Sequence, residues 1–217
     1  MRIGLLGGTF NPPHDGHLKL AEIALRALAL DEVRFLPTAL PPHKALPPGD
    51  PDGAARLHLL EAALAALGLP FRLEPLEVQR GGTSFTVDTL ERLAEREPDC
   101  AWIFLMGGDQ LPGFPGWRRP ERILELASLA VAPRPGWPAP EAGELPGMLA
   151  GRVRPQWSGA PGELIWLAGT GLELASTDLR AELGRGETPN GIPPQVLAAI
   201  LREQRYRYHS HGRINES

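Results

Sequence analysis

Lysine is almost missing from this chain: of 22 lysines and arginines, only Lys19 and Lys44 are lysines. A genomic preference for arginine explains that scarcity without function, yet it makes each surviving lysine conspicuous. Cysteine is rarer still. Cys100 is the only one, which excludes an intramolecular disulfide framework and fits a reducing compartment. Long apolar runs are absent too: nothing approaches the roughly 20 residues that a helical membrane span needs. The opening "MRIGLLGGTF" breaks at Gly7-Gly8, too early for a signal peptide. Nor is there an excess of positive charge. A net charge of −4 gives no overall basic field for nucleic acid, so an anionic ligand would need positive charge concentrated locally. These absences lead to the expectation of a soluble, cytoplasmic protein with no membrane and no nucleic-acid partner.

What is present is an alternation of strand and helix patterns over a length that suits one domain. Residues 2–6 read as a first strand, 16–30 as a helix, and "EVRFLP" as a second strand. The stretch "TALPPHKALPPGDPDG" is too rich in Pro and Gly for regular structure, and long loops of this kind are often functional. "AARLHLLEAALAALG" is helical, with Leu57, Leu60 and Leu64 on one face. "FRLEPLEV" reads as extended, and "SFTVDTLERLAEREP" as a helix with Ser/Thr capping choices. "AWIFLMGGD" reads as a buried central strand ending in glycines. "PERILELA" is a short helix before the strand "LAVAP". Residues 133–162 show no period and are taken as a surface excursion, followed by a last strand in "ELIWLA". "STDLRAELGRG" reads as a capped helix and "PPQVLAAILREQ" as a final helix with Pro at its start. The expected fold is a single Rossmann-like, doubly wound α/β domain over 1–205, with a polar tail at 206–217. Its mostly parallel sheet should have about five or six strands, with helices on both faces.

The stretch with the most chemistry is "GGTFNPPHDGH", residues 7 to 17, where a strand hands over to a helix. A helix N-terminus offers unpaired N–H groups and roughly half a positive charge, a ready anion site. Gly7 and Gly8 let backbone approach a phosphate, and His14 and His17 sit where the helix dipole points. Neither a G-x-G-x-x-G nor a P-loop pattern is present. A zinc pair is the competing reading of His-x-x-His, but His43, His58, His209 and His211 offer no partners at convincing spacing.

"GTFNPPHDGH" resembles the G-x-F-x-P-x-H-x-G-H motif of the nucleotidyltransferase superfamily related to class I aminoacyl-tRNA synthetases. Near the other end, "LASTDLR" resembles that superfamily's second phosphate motif, with Ala175 and Leu179 departing from the usual pattern while Ser176, Thr177 and Arg180 are retained. Between them, "PPHK", "GGTSFTVDTL" and "GGDQL…W" resemble blocks of bacterial nicotinate-nucleotide adenylyltransferase, in family order along nearly the whole chain.

The resemblance implies adenylyl transfer from ATP, brought with Mg²⁺, to nicotinate mononucleotide. Gly7, Gly8, Thr9, Phe10, His14, His17 and Gly107 would hold ATP, with Ser176, Thr177 and Arg180 at its outer phosphates. His17 is the choice for the phosphate under attack, and Lys44 for a cation closing over phosphate. Arg56 is read either as an assisting cation or as a surface residue. Thr86, Asp109 and Trp117 would receive the mononucleotide: a donor for the ring carboxylate, a ribose or water-bridged metal contact, and a stacking face. The metal itself would be held by phosphate oxygens and water. Rivals within the superfamily act on nicotinamide mononucleotide, phosphopantetheine or glycerol phosphate. A rival of another class is a non-catalytic nucleotide sensor, which would have lost His17, Lys44 or Arg180.

Overall fold

A computed structural model describes residues 1–40, 46, 49–133, 145–168 and 174–206. Its centre is β1 (Arg2–Gly8), which pairs in parallel with β2 (Glu32–Pro37) on one side and β4 (Ala101–Gly107) on the other. Beyond β2 lies β3 (Phe71–Leu73); beyond β4 lie β5 (Ala127–Ala132), β7 (Leu164–Trp166) and β6 (Val153–Arg154). The order is β3-β2-β1-β4-β5-β7-β6, and every described pair is parallel. Seven strands exceed the expected five or six because the two-residue β6 lies inside the aperiodic stretch.

The helices are α1 (Asp15–Ala27), α2 (Gly53–Ala65), α3 (Leu76–Arg80), α4 (Thr86–Arg96), α5 (Pro120–Leu126), α6 (Ser176–Gly184) and α7 (Pro194–Arg202). Alternation along β1 divides them between the faces. Ile3 and Leu5 pack with Val87, Leu90 and Leu93 of α4 and with Ile123 of α5. Leu6 packs on the other face with Leu20, Ala21 and Ala24 of α1 and Leu60 of α2. The sheet is doubly wound. A third cluster joins Leu59 and Ala63 of α2 to Leu179 and Leu183 of α6 and to Val196, Ala199 and Ile200 of α7.

Several expectations need correcting. β1 runs to Gly8 instead of ending at residue 6, because Gly7 and Gly8 still pair with Leu36 and Pro37. On α2 the inward residues are Arg56, Leu59, Leu60 and Ala63, with Leu57 and Leu64 only half-buried. "FRLEPLEV" is extended only over Phe71–Leu73; α3 then buries Glu77. Neither α4 nor α6 uses a Ser or Thr cap: Phe85 and Ala175 hold those positions with no side-chain cap bond. The expected tail begins at Tyr206, but that ring is 1% exposed and belongs to the third cluster. Residues 207–217 lie outside the described residues.

Two ion-pair braces stiffen the sheet far from its glycine ends. Arg34 of β2 donates to Glu32 at 2.6 Å and to both carboxylate oxygens of Glu97, at 2.7 and 2.6 Å, while its guanidinium lies over the Trp102 ring. Arg96 joins Glu97 to Glu74, so β2, the end of β3 and the end of α4 are tied together.

Candidate active site

Strand order reverses around β1 and β4, and open α/β sheets bind ligands outside the strand ends at such a switch point. Here both strands end in glycine, Gly8 and Gly107, and both glycines line a cavity of about 650 Å³. The glycines of β1 have a packing reason as well as the expected one. A Cβ on Gly7 would lie 2.9 Å from Cζ of Phe104, and one on Gly8 3.2 Å from Cζ of Phe10. They are small because rings lie against them.

Phe10 turns the chain with φ +48, a backbone conformation that bulky residues rarely adopt. Its ring is 1% exposed and meets Phe35 and the edge of His17, at centroid distances of 5.8 and 4.8 Å. Buried packing therefore holds the strained turn that delivers the chain to α1. His14 caps α1 and His17 is its third residue. The structure separates their expected roles. His17 lines the cavity, whereas His14, 4% exposed, lies stacked behind it at 3.6 Å between centroids and is not part of the lining. The His14 backbone N–H donates to Nδ1 of His17 at 3.3 Å. An Nδ1 that accepts carries no proton, so the neutral ring has its N–H at Nε2.

α6 brings the second motif to the same cavity, where Ser176, Thr177 and Arg180 all form part of the wall. Arg180 donates to the Asn11 carbonyl at 2.7 Å and to Oγ1 of Thr177 at 3.3 Å. Thr9 and Thr86 also line the wall, Thr86 as the first residue of α4, and so does Trp117. Trp117 is half-buried, with its ring 5.8 Å from Phe104 and 5.4 Å from Phe114.

Two more expected residues, Asp109 and Arg56, fall outside the cavity wall. Lys44 lies outside the described residues. Asp109 is exposed at the start of the turn after β4 and is not in the cavity wall, which its neighbour Gln110 joins. Both readings of Arg56 are corrected: it is neither a surface residue nor a phosphate cation, but 0% exposed. Its guanidinium donates to the carbonyls of Pro51, Thr9 and Ala39, at 3.2, 2.6 and 2.8 Å. Burial lowers its pKa, yet an arginine stays charged under any ordinary condition. It clamps the glycine turn to the loop after β2.

The sequence reading missed Glu77, Ser84 and Arg118, all in the cavity wall. Glu77 is 2% exposed, accepts from Oγ1 of Thr89 at 2.7 Å, and has its carboxyl pushed up by burial. Its "LEV" context alternates like a strand and gave no signal. Ser84 stands inside the "TSFTVDT" block, two residues before Thr86. Arg118, exposed, lies 4.7 Å over the Phe85 ring, and its neighbour Trp117 marked the position. Among the described residues no group of three or more His, Cys, Asp or Glu is placed to hold a metal ion. Nor is any described helix long and apolar enough to cross a membrane.

A glycine-ended switch point flanked by two helix N-termini is the architecture of a phosphate-binding α/β site. The cytidylyltransferase-like family model matches residues 5–182, and the chain belongs to that family. Within it, the chain is similar along nearly its whole length to proteins named probable nicotinate-nucleotide adenylyltransferase. One from Hydrogenovibrio crunogenus is 37% identical over 93% of this chain and 95% of its own. One from Aeromonas hydrophila is 41% identical, with the same shares covered. The nicotinic acid mononucleotide adenylyltransferase of Plasmodium falciparum, solved in complex with NaAD, shares the fold. Its TM-score is 0.72 at 18% identity, over 94% of this chain and 97% of that one.

Proposed function

We propose that this chain transfers the adenylyl group of ATP to nicotinate mononucleotide, releasing pyrophosphate and giving deamido-NAD for NAD biosynthesis. The observation that carries the reading is one cavity that gathers the first turns of α1 and α6 together with Thr86 and the Trp117 ring. Two helix ends suit a polyphosphate; a ring with a helix end beside it suits a flat, anionic heterocycle.

The attacking group is the mononucleotide's own phosphate, largely dianionic at neutral pH because its second pKa is about 6. It needs no base. The work left to the protein is in-line alignment and stabilisation of charge spreading onto the α-phosphate and departing pyrophosphate. Nε2–H of His17 is the donor for the phosphate under attack; Ser176, Thr177 and Arg180 meet the outer phosphates. Lys44 is the further cation proposed from the sequence. Glu77 is the only carboxylate in the described cavity wall, and it is bonded to Thr89. The donor set therefore fits a divalent ion, proposed as Mg²⁺, that arrives with ATP and keeps phosphate and water ligands. Such an ion would neutralise phosphate charge, with Asp109 as the candidate for a water-bridged or ribose contact.

The test is to incubate the protein with ATP, Mg²⁺ and each mononucleotide in turn and to follow pyrophosphate release. Nicotinate mononucleotide should support the fastest release. A faster reaction with nicotinamide mononucleotide or phosphopantetheine would reassign the acceptor; release with none of them would leave a nucleotide sensor.

A further inference from the structure

Arg180 is the outer-phosphate cation of the proposed site, and its guanidinium is held from behind by groups on two distant parts of the chain, one of them tied in turn to a third. Besides the bonds to the Asn11 carbonyl and Thr177, its Nε lies 3.6 Å from Oδ2 of Asp50, whose side chain is fully buried. The Asn11 side-chain amide donates to that same Oδ2 at 2.6 Å. The other end of the amide, Oδ1, accepts the Tyr206 hydroxyl at 2.8 Å. Asn11 is 3% exposed and Tyr206 1%, so these bonds form where a lost partner cannot be replaced by water.

Each link fixes the next. A hydroxyl on one end of the amide and a carboxylate on the other hold Asn11 in a single orientation. The backbone carbonyl of the same anchored residue is the one to which Arg180 donates. Asp50 faces both the amide and the guanidinium, balancing an arginine that is only 8% exposed. A network whose only task was to seal α7 against the β1 loop would not need to end on a guanidinium in the cavity wall.

We propose that Asn11, Asp50 and Tyr206 are positioning residues that aim Arg180 at the β- and γ-phosphates of a nucleoside triphosphate, which makes the C-terminal segment part of the nucleotide site. The proposal rests on the reading that ATP is bound here, but not on which mononucleotide accepts the adenylyl group.

Calorimetry with two probes tests it: α,β-methylene-ATP, which carries the outer phosphates, and AMP, which lacks them. Tyr206→Phe keeps the ring in its apolar cluster and removes one buried hydrogen bond. It should weaken the triphosphate analogue about fivefold and leave AMP within about twofold. In an Arg180→Lys background, which keeps the charge but not the fork, the same change should cost less than about twofold. Asn11→Ala, cutting the chain at its middle, should show the same selectivity between the probes. Equal weakening of both probes, an equal loss in both backgrounds, or a lowered melting temperature with unchanged affinities would each overturn the proposal. Failure of the wild-type protein to use nicotinate mononucleotide would sink the acceptor assignment alone, because this coupling is read from binding.

Discussion

His17 is held by three groups on two neighbours, Phe10 and His14. The Phe10 edge, the His14 ring and the His14 N–H surround it, and the last of these leaves Nε2 as the donor. A donor fixed in this way costs nothing to reorganise when charge develops, so its contribution should appear mainly in the transition state. We therefore expect His17→Ala to lower kcat by at least about a hundredfold while changing ATP affinity little. Single-turnover rates within tenfold of wild type at saturating substrate would refute that role. The residues that the sequence made legible are those whose motif and direction agree. His17, Thr86, Trp117, Ser176 and Arg180 were chosen from short motifs and all reach the cavity. Asp109 sat in an equally good motif, but a one-residue difference in the turn presents Gln110 instead. Arg56 was illegible for a physical reason: nothing local says that three backbone carbonyls from two other segments will surround a guanidinium. Tyr206 left one trace, since the chain's two tyrosines both stand in an otherwise polar ending.

At the scale of elements, the proposed selectivity falls to α4, whose first residue, not its cap, supplies a hydroxyl to the cavity. Phe85 occupies the cap with extended backbone and no side-chain bond, which leaves Thr86 in the cavity wall. A carboxylate and a carboxamide have nearly the same shape, so the Trp117 ring should hold both pyridines about equally. Donors at the helix end favour two anionic oxygens, whereas an amide NH₂ would leave them unpaired, at about 1–3 kcal/mol per buried group. Thr86→Val should thus reduce the acid-to-amide ratio of kcat/KM, by about tenfold. Trp117→Ala should weaken both substrates and leave the ratio similar. If only Trp117→Ala shifts the ratio, the carboxylate is held elsewhere. Helices and strands with clear periods were readable at this scale. α3 and β6 were not, because a five-residue helix and a two-residue strand are too short to show a period and exist through their neighbours.

For the molecule as a whole, the brace at the far edge of the sheet contributes to the response to acid. Hydrogen bonds from Arg34 hold the Glu97 carboxyl down from 4.5 to about 2. A pKa depressed on folding means stability that is present above 4.5 and lost as pH falls toward 2. Glu77 runs the other way: burial raises its pKa, so its contribution is complete below 4.5 and is lost as pH rises through the folded value. Melting temperatures measured from pH 2 to 8 should fall on the acid side for wild type and flatten there in Glu97→Gln, which should also melt lower at pH 7. An unchanged acid slope in Glu97→Gln would show that the brace does not control it.

The hydroxyl of Tyr206 and the amide of Asn11 are 195 positions apart in the chain. A ribosome delivers the glycine turn and α1 before α6, at about 5–20 residues per second, and earlier segments begin to fold before later ones exist. The first phosphate corner can form as soon as β1 has its neighbours β2 and β4. The second must wait longer, since α6 and Tyr206 follow all three of these strands in the chain. A growing chain therefore passes through an interval in which the α1 corner of the cavity has formed and the α6 corner has not.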